Sequence, residues 1–265
     1  MIVSHKYKFI FIRPTKVAGT SVQVNLAKQC DDGDIVTSVG GYDEKSDETK
    51  FVIKPRNREG FHGHMFPDQI KEKIDSEIWN NYFKFTIVRN PYDLMVSRYH
   101  WHWSRPEKKI KDELIKSKIK IHMVQPASYI RLLKRIFNKR SKSFAETMKY
   151  FDKQWKNTRY YFDENGKPIC DFYIKYENLD EDYKKVCEKV GIPYEPLPRL
   201  KTKQRKKKKH YSTYYDEKTK NRVSKIFKKE LDFFDYKFEE EKEKHLTTEE
   251  EEQVKERLRA LGYME

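Results

Sequence analysis

A segment of small, basic and hydroxyl-bearing residues begins where a run of aromatic and β-branched residues ends. The run is YKFIFI at residues 7–12, which has the length of a buried strand, and RPTKVAGTS follows at residues 13–21. Small residues let the backbone approach an anion, and a helix that starts here offers free N–H groups and a positive dipole. Lys16 adds a movable charge, while Thr20 and Ser21 add hydroxyl donors. The segment is therefore predicted to bind a phosphate-like anion.

The order of residues in this loop differs from that of a Walker A loop, GxxxxGK[ST]. Lys16 precedes Gly19 by three positions, and no glycine opens the loop. The lysine also does not lead directly onto a serine or threonine that would hold magnesium. An ordinary strand-to-helix turn capped by serine or threonine remains the alternative interpretation of the loop taken alone.

A second candidate segment is FTIVRNPYDLMVSRY at residues 85–99. Arg89 stands at the end of a predicted buried strand, and Ser97 follows eight residues later on a predicted helix. An arginine at a strand end can grip a phosphate with two hydrogen bonds, and the serine can add a hydroxyl. In isolation the pair more often means a surface arginine and a solvated serine.

Two histidines flank a glycine in Phe61-His62-Gly63-His64-Met65, just before a predicted helix. The unperturbed pKa of histidine, about 6.5, suits proton abstraction near neutral pH. The pair could also bind a metal, but no third ligand is evident nearby. Two ordinary core or surface histidines are the alternative.

Basic residues dominate the run KTKQRKKKK at residues 201–209, where seven of nine are lysine or arginine. Such a run is typical of a solvated loop or of a contact with a polyanion. The whole chain carries a formal net charge of +15, which indicates an anionic partner of some kind. Charge alone does not choose among nucleic acid, membrane surface, glycan and a phosphate-rich cofactor.

Strand and helix patterns alternate along the 265 residues, which predicts an α/β fold with a central parallel sheet covered by helices on both faces. Ligands of such sheets bind at the carboxyl ends of the strands. Strands are predicted at 7–12, 35–39, 51–54, 82–88 and 171–176, with a tight turn at 163–168. Helices are predicted at 22–30, 67–75, 92–103, 106–121, 125–138, 143–156, 178–190 and 216–231.

The chain has three cysteines and no CxxC motif, and residues 1–8 lack the apolar stretch of a signal peptide; both features favour a cytoplasmic protein. No run of 18 apolar residues occurs, so no membrane span is expected. An aromatic content of 14% favours a packed core over disorder.

Taken together, the first two segments resemble the cofactor signatures of the sulfotransferases. RPTKVAGTS is similar to the loop that holds the 5′-phosphosulfate of 3′-phosphoadenosine-5′-phosphosulfate (PAPS), and VRNPYDLMVSRY is similar to the motif that binds its 3′-phosphate. The resemblance extends over residues 6–238 and is greatest to the glycan-type enzymes, which include the heparan and uronyl 2-O-sulfotransferases and many bacterial and viral relatives.

The resemblance implies a P-loop-NTPase-like sulfotransferase fold in a single domain, residues 1–238, with residues 239–265 as a charged amphipathic helix packed on it or extending from it. It implies no metal. It places Lys16 by the sulfonate and the leaving oxygen, and makes His64 the base, with His62 supporting or sharing that role. The implied cofactor contacts are Arg13, Thr15, Lys16, Val17, Ala18, Gly19, Thr20, Ser21, Arg89, Ser97, Lys201, Thr202 and Lys203.

The function implied is transfer of a sulfonate group from PAPS to an acceptor hydroxyl, leaving adenosine 3′,5′-bisphosphate (PAP). A carbohydrate acceptor is favoured, an acidic one included, whereas a lipid, a small metabolite and a protein tyrosine stay open. No specific nucleic acid is expected as a partner. The alternatives are a P-loop-type kinase or NTPase, and a non-enzymatic protein that binds nucleic acid or anionic membrane through its basic surface.

Overall fold

The structure is a computed structural model that describes residues 1–39, 53, 55–103, 143–149, 156–198 and 209–241, together with positions 252, 256 and 259. The helices predicted at 106–121 and 125–138, most of the strand predicted at 51–54, and Lys201, Thr202 and Lys203 lie outside these residues. Positions 252, 256 and 259 are helical and exposed. The division at residue 238 stays a prediction.

Five strands and nine α-helices form within the described residues. The strands are β1 (Ile2–Ser4), β2 (Phe9–Phe11), β3 (Ile35–Val36), β4 (Phe83–Val88) and β5 (Phe172–Lys175). The first helices are α1 (Gly19–Gln29), α2 (Pro67–Lys71), α3 (Ser76–Asn81), α4 (Pro91–Trp103) and α5 (Phe144–Lys149). The later helices are α6 (Thr158–Tyr161), α7 (Leu179–Val190), α8 (Glu217–Ile226) and α9 (Lys228–Phe234).

The strands make one mixed sheet in the order β3-β1-β2-β4-β5. Strands β2, β4 and β5 are parallel, which confirms the predicted α/β sheet, while β1 pairs antiparallel with both β2 and β3. The strand β1 was not predicted, because its three residues are too few to show a period. Only four residues join β1 to β2, and so short a connection allows antiparallel pairing alone.

Side chains of the central strands alternate between two apolar layers, as the two-residue period of a strand requires. Phe9 and Phe11 point to the layer that contains α1 and α7. Ile10 and Ile12 point to the opposite layer, which contains α2, α6 and the end of α9. Helices therefore cover both faces of the sheet, and the edge where the parallel strands end is left for loops.

Two predicted helices differ from the structure. The helix predicted at 67–75 ends early, at Lys71, and an unpredicted helix begins after Asp75, whose carboxylate accepts a hydrogen bond from the Glu77 N–H (2.7 Å). The helix predicted at 216–231 is broken at Phe227, whose ring is buried and whose backbone leaves helical geometry. In both places a local cap or a buried ring outweighs the helical period of the flanking residues.

A third apolar cluster fastens α4, the helix that carries the second candidate segment. The Tyr92 ring packs against the rings of Tyr211, Tyr215 and Phe238, and the Tyr215 hydroxyl donates to the Tyr92 carbonyl (2.8 Å). These partners come from the far end of the described chain, so residues 211–238 hold α4 in place. None of the helices in the described ranges is long and apolar enough to cross a membrane.

Glu230, on α9, has a buried carboxyl group, with 3% of the residue exposed. Burial raises its pKa, although a hydrogen bond from the Thr158 hydroxyl opposes the shift. Because the folded pKa lies above the unfolded value, the folded state binds the extra proton, and stability falls as the pH rises through the folded pKa.

Glu230→Gln keeps an oxygen acceptor for Thr158 and removes this penalty. We expect the variant to gain stability over the parent protein at pH 7–8 and the gain to vanish below about pH 4, where the unfolded carboxyl is protonated as well. Urea unfolding of both proteins from pH 3.5 to 8 measures this. A stability difference that does not change with pH would contradict the assignment.

Candidate active site

The two candidate anion-binding segments leave adjacent parallel strands at the same edge of the sheet. Phe11 pairs with Phe85 across β2 and β4, and the Ile12 N–H donates to the Phe85 carbonyl (3.0 Å), which extends the pairing to the end of β2. Arg13 is the next residue after that pairing, and Arg89 follows β4 directly. The carboxyl edge of the sheet thus brings both segments together, where ligands of α/β sheets bind.

The loop between β2 and α1 has a left-handed backbone at two non-glycine residues. Lys16 has φ 64° and Ala18 has φ 60°, and α1 begins at Gly19. Each such residue costs on the order of 1–3 kcal/mol and persists only where the surroundings hold it. A Cβ at Gly19 would lie 2.6 Å from Arg13 Cγ, so only glycine fits there. The loop is a curved N–H-bearing turn that leads into an 11-residue helix, the arrangement that binds anions.

Arg89 connects the second segment to this loop. Its Nη1 donates to the Lys16 carbonyl (2.9 Å), and its Nε and Nη2 both donate to Asp93 Oδ2 (2.8 and 2.6 Å). Its guanidinium lies 4.0 Å from the centre of the Tyr176 ring. Arg89 is thereby oriented on three sides, and one of its bonds helps to hold Lys16 in its left-handed conformation.

Residues just beyond β5 complete the same edge. Glu177 accepts from the Asn90 N–H (2.8 Å) with one oxygen and from the Tyr236 hydroxyl (2.8 Å) with the other. The Asn90 side chain in turn caps α4 by accepting from the Tyr92 N–H (3.0 Å). These bonds fix the turn that follows Arg89, a role for Glu177 that no sequence motif indicates.

Arg13 and the histidine segment are joined by two hydrogen bonds. Arg13 is only 4% exposed, and its Nε donates to the Gly63 carbonyl (3.1 Å). The His64 ring nitrogen Nδ1 lies 2.9 Å from the Arg13 carbonyl oxygen. A carbonyl only accepts, so Nδ1 carries the proton and the lone pair of the neutral ring is on Nε2. His64 is exposed, and the Tyr160 hydroxyl donates to its carbonyl (2.9 Å).

The two histidines differ in how they are held. Both are exposed, and among the described residues the ring of His62 has no hydrogen-bond partner. The ring of His64 is oriented by Arg13, which stands at the start of the anion-binding loop. The geometry therefore favours His64 over His62 as a positioned base.

Thr15 is the centre of a buried network that sequence reasoning missed. Arg98 Nη2 donates to Thr15 Oγ1 (2.8 Å) and to Asn157 Oδ1 (2.9 Å), and Asn157 Nδ2 donates to the Thr15 carbonyl (3.0 Å). Burial lowers the pKa of Arg98 to about 10, which leaves it charged at neutral pH. Arg98 directly follows Ser97 in the second segment, and this adjacency was the available signal; Asn157 has none in the sequence.

The remaining predicted residues are placed as follows. The Lys16 ammonium lies 5.7 Å from the centre of the Trp101 ring. Val17 is fully buried and Ser21 nearly so, whereas Thr20 and Ser97 are partly exposed. Among the described residues, no group of three or more His, Cys, Asp or Glu is placed to hold a metal ion.

The mixed sheet with helices on both faces, and the loop with left-handed residues that leads into α1 at its carboxyl edge, define an α/β protein with a candidate anion site at a helix N-terminus. The chain belongs to the sulfotransferase family, whose family model matches residues 1–237. It is therefore a transferase of sulfonate groups. An uncharacterised protein of Archaeoglobus fulgidus is 27% identical over 135 residues, which are 50% of this chain and 88% of that protein. No solved structure matches the chain.

A substitution at Gly63 tests the contact between Arg13 and the histidine segment. A Cβ at this position would lie 2.1 Å from Arg13 Nη2 and 3.3 Å from the Ser38 carbonyl oxygen. Gly63→Ala must displace the buried arginine, so we expect a loss of about 1–3 kcal/mol of stability. Gly33→Ala is the matched control, because no atom lies within 4 Å of a Cβ there. Equal thermal unfolding of the two variants would contradict the described packing.

Proposed function

We propose that this protein transfers a sulfonate group from PAPS to a carbohydrate hydroxyl, in the manner of the glycan-type sulfotransferases. The observation that carries the proposal is the hydrogen bond from Arg89 to the Lys16 carbonyl, which joins the two segments that resemble the PAPS signatures. Family membership supports sulfonate transfer in general. The donor, the acceptor and the base are the parts proposed here.

The residues at the carboxyl edge fit a nucleotide with phosphate groups at both ends of its ribose. The loop backbone at residues 17–21 and the start of α1 offer N–H donors and a positive dipole to the 5′ side. Arg89 and Ser97 are assigned to the 3′-phosphate. Lys201, Thr202 and Lys203 are assigned to the nucleotide by resemblance alone.

Arg13 is assigned to the 5′ side as well, and its burial limits how it can act. Its guanidinium packs against Gly63 and its carbonyl receives the His64 ring. We infer that Arg13 contributes by charge and by holding the histidine segment at the loop. PAPS itself supplies the sulfonate group that is transferred.

The side chains that act on the reacting groups are Lys16 and His64. The Lys16 ammonium neutralises negative charge that develops on the leaving oxygen, which is the main demand of such transfers. His64 takes the proton of the acceptor hydroxyl on Nε2, because Nδ1 is committed to the Arg13 carbonyl. The imidazolium that results stays hydrogen-bonded to that carbonyl.

The carbohydrate acceptor is supported by the His-Gly-His segment, which is similar to that of the 2-O-sulfotransferases, and by the net charge of +15. A basic protein attracts acidic polymers, so an acidic glycan belongs among the first acceptors to test. A P-loop kinase is disfavoured by the order of residues in the loop, and a simple polyanion binder would not require the Arg89–Lys16 connection.

Binding of PAP tests the nucleotide site. We expect PAP at about 100 times its Kd to add roughly 2.7 kcal/mol of stability, with much weaker responses to AMP and ATP, since neither carries a 3′-phosphate. Thermal unfolding measures the response. Arg89→Ala should abolish the preference for PAP over AMP. An equal response to ATP and PAP would leave only a generic anion-binding loop and would reject the proposal.

The two histidines provide a matched pair of variants for the base. We expect His64→Ala to lower kcat by about 10²–10⁴-fold, the usual contribution of general base catalysis, with PAP binding nearly unchanged. His62→Ala, an exposed neighbour in the same segment, should have a smaller effect on kcat. PAP release from PAPS in the presence of acidic and neutral glycans measures the rate. If His62→Ala has the larger effect, the assignment is reversed.

A further inference from the structure

We propose that Arg98 and Asn157 are positioning residues for the nucleotide's 5′ side, because they hold Thr15 and thereby the loop that carries Lys16. The proposal rests on the proposed function, since it assigns a role within the same site. Neither residue is among the cofactor contacts that the sequence predicts.

Three hydrogen bonds converge on the single residue Thr15. Arg98 donates to its hydroxyl (2.8 Å), the Thr15 hydroxyl donates to Asn157 Oδ1 (3.2 Å), and Asn157 Nδ2 donates to its carbonyl (3.0 Å). Arg98 Nη2 also donates to Asn157 Oδ1 (2.9 Å), which closes the network. Thr15 is thus held by both its side chain and its main chain. Its partners Arg98 and Asn157 lie 83 and 142 residues further along the sequence.

Two members of the network are buried and the third is partly buried. Arg98 is 6% exposed and Asn157 is 1% exposed, whereas Thr15 is partly exposed. Removal of Arg98 leaves the buried amide of Asn157 with one bond fewer, which costs more than the bond itself contributes. The position of Thr15 is therefore fixed more firmly than that of a solvent-exposed loop residue.

One arginine before α4 and one within it hold two consecutive residues of the loop. Arg89, just before α4, donates to the Lys16 carbonyl, and Arg98, in the second half of α4, donates to Thr15. Lys16 has φ 64°, a conformation that its own side chain disfavours, so bonds on either side of it are needed to retain it. We infer that Arg89 serves the 3′-phosphate and the loop, while Arg98 serves the loop alone.

Arg98 also places a positive charge beneath the loop. In a buried environment, a fixed charge acts on a nearby anion more strongly than it would in water. The charge lies behind Thr15, which precedes the predicted ligand for the sulfonate. Loss of the Arg98 charge should therefore weaken binding at the 5′ side of the nucleotide more than at the 3′-phosphate.

The test separates the two phosphates by comparing three ligands. The ratio of Kd for adenosine 3′-monophosphate to Kd for PAP measures the contribution of the 5′-phosphate. The ratio of Kd for AMP to Kd for PAP measures the contribution of the 3′-phosphate. Calorimetry or thermal-shift titration of the full chain yields both ratios for each variant.

We expect Arg98→Met to lower the 5′-phosphate ratio by about tenfold or more and to change the 3′-phosphate ratio less than about threefold. Arg98→Lys, which restores the charge but not both bonds, should recover part of the loss. Ser97→Ala is the contrasting variant, because Ser97 is assigned to the 3′-phosphate alone, and it should lower mainly the 3′-phosphate ratio. A merely structural role would lower stability and leave the two ratios equally affected.

If Arg98→Met does not fold, Asn157→Leu removes the bonds to Thr15 at similar volume without changing an implied cofactor contact, and it should lower the same 5′-phosphate ratio. Equal losses in both ratios, or no loss in either, would overturn the role of Arg98 while normal PAP binding by the parent protein keeps the proposed function. If the parent protein fails to bind PAP, both proposals fail together.

Discussion

The parallel pairing of β2 with β4 is the constraint on which the candidate site depends. It places the residues that follow the two strands, Arg13 and Arg89, at one edge of the sheet. The loop after β2 then lies within hydrogen-bonding distance of Arg89, which donates to the Lys16 carbonyl. Without this register the two segments would be separate basic patches, since they are about seventy residues apart in the sequence.

Three arginines act as structural connectors in the candidate site. Arg13 joins the loop to the histidine segment, Arg89 joins it to the end of β4, and Arg98 joins it to α4 and Asn157. A guanidinium group can connect several segments because it carries five hydrogen-bond donors in one plane and stays charged when buried. A lysine in any of the three places would keep a charge but could not make the same pair of directed bonds.

The fold and the loop after β2 are consistent with the family, but they do not identify the acceptor. Sulfotransferase membership follows from residues 1–237 as a whole, whereas a shared fold does not determine the acceptor. His64 is exposed, and its Nδ1 lies within hydrogen-bonding distance of the Arg13 carbonyl. The half-buried Trp101 ring lies beside the Lys16 ammonium.

The sequence by itself determined the α/β class and the helices α1, α4 and α7, because these depend on local periodicity and on end signals such as Gly191 (φ 74°). Short motifs marked the two candidate anion-binding segments. The sequence did not indicate β1, whose three residues show no period, the early end of α2 at Lys71 or the break at Phe227. The tertiary structure alone decided that Arg98 and Asn157 meet at Thr15, and that His64 rather than His62 has an oriented ring. Such contacts join residues 51 to 142 positions apart, and no local pattern encodes them because the packing of the sheet and its helices brings them together.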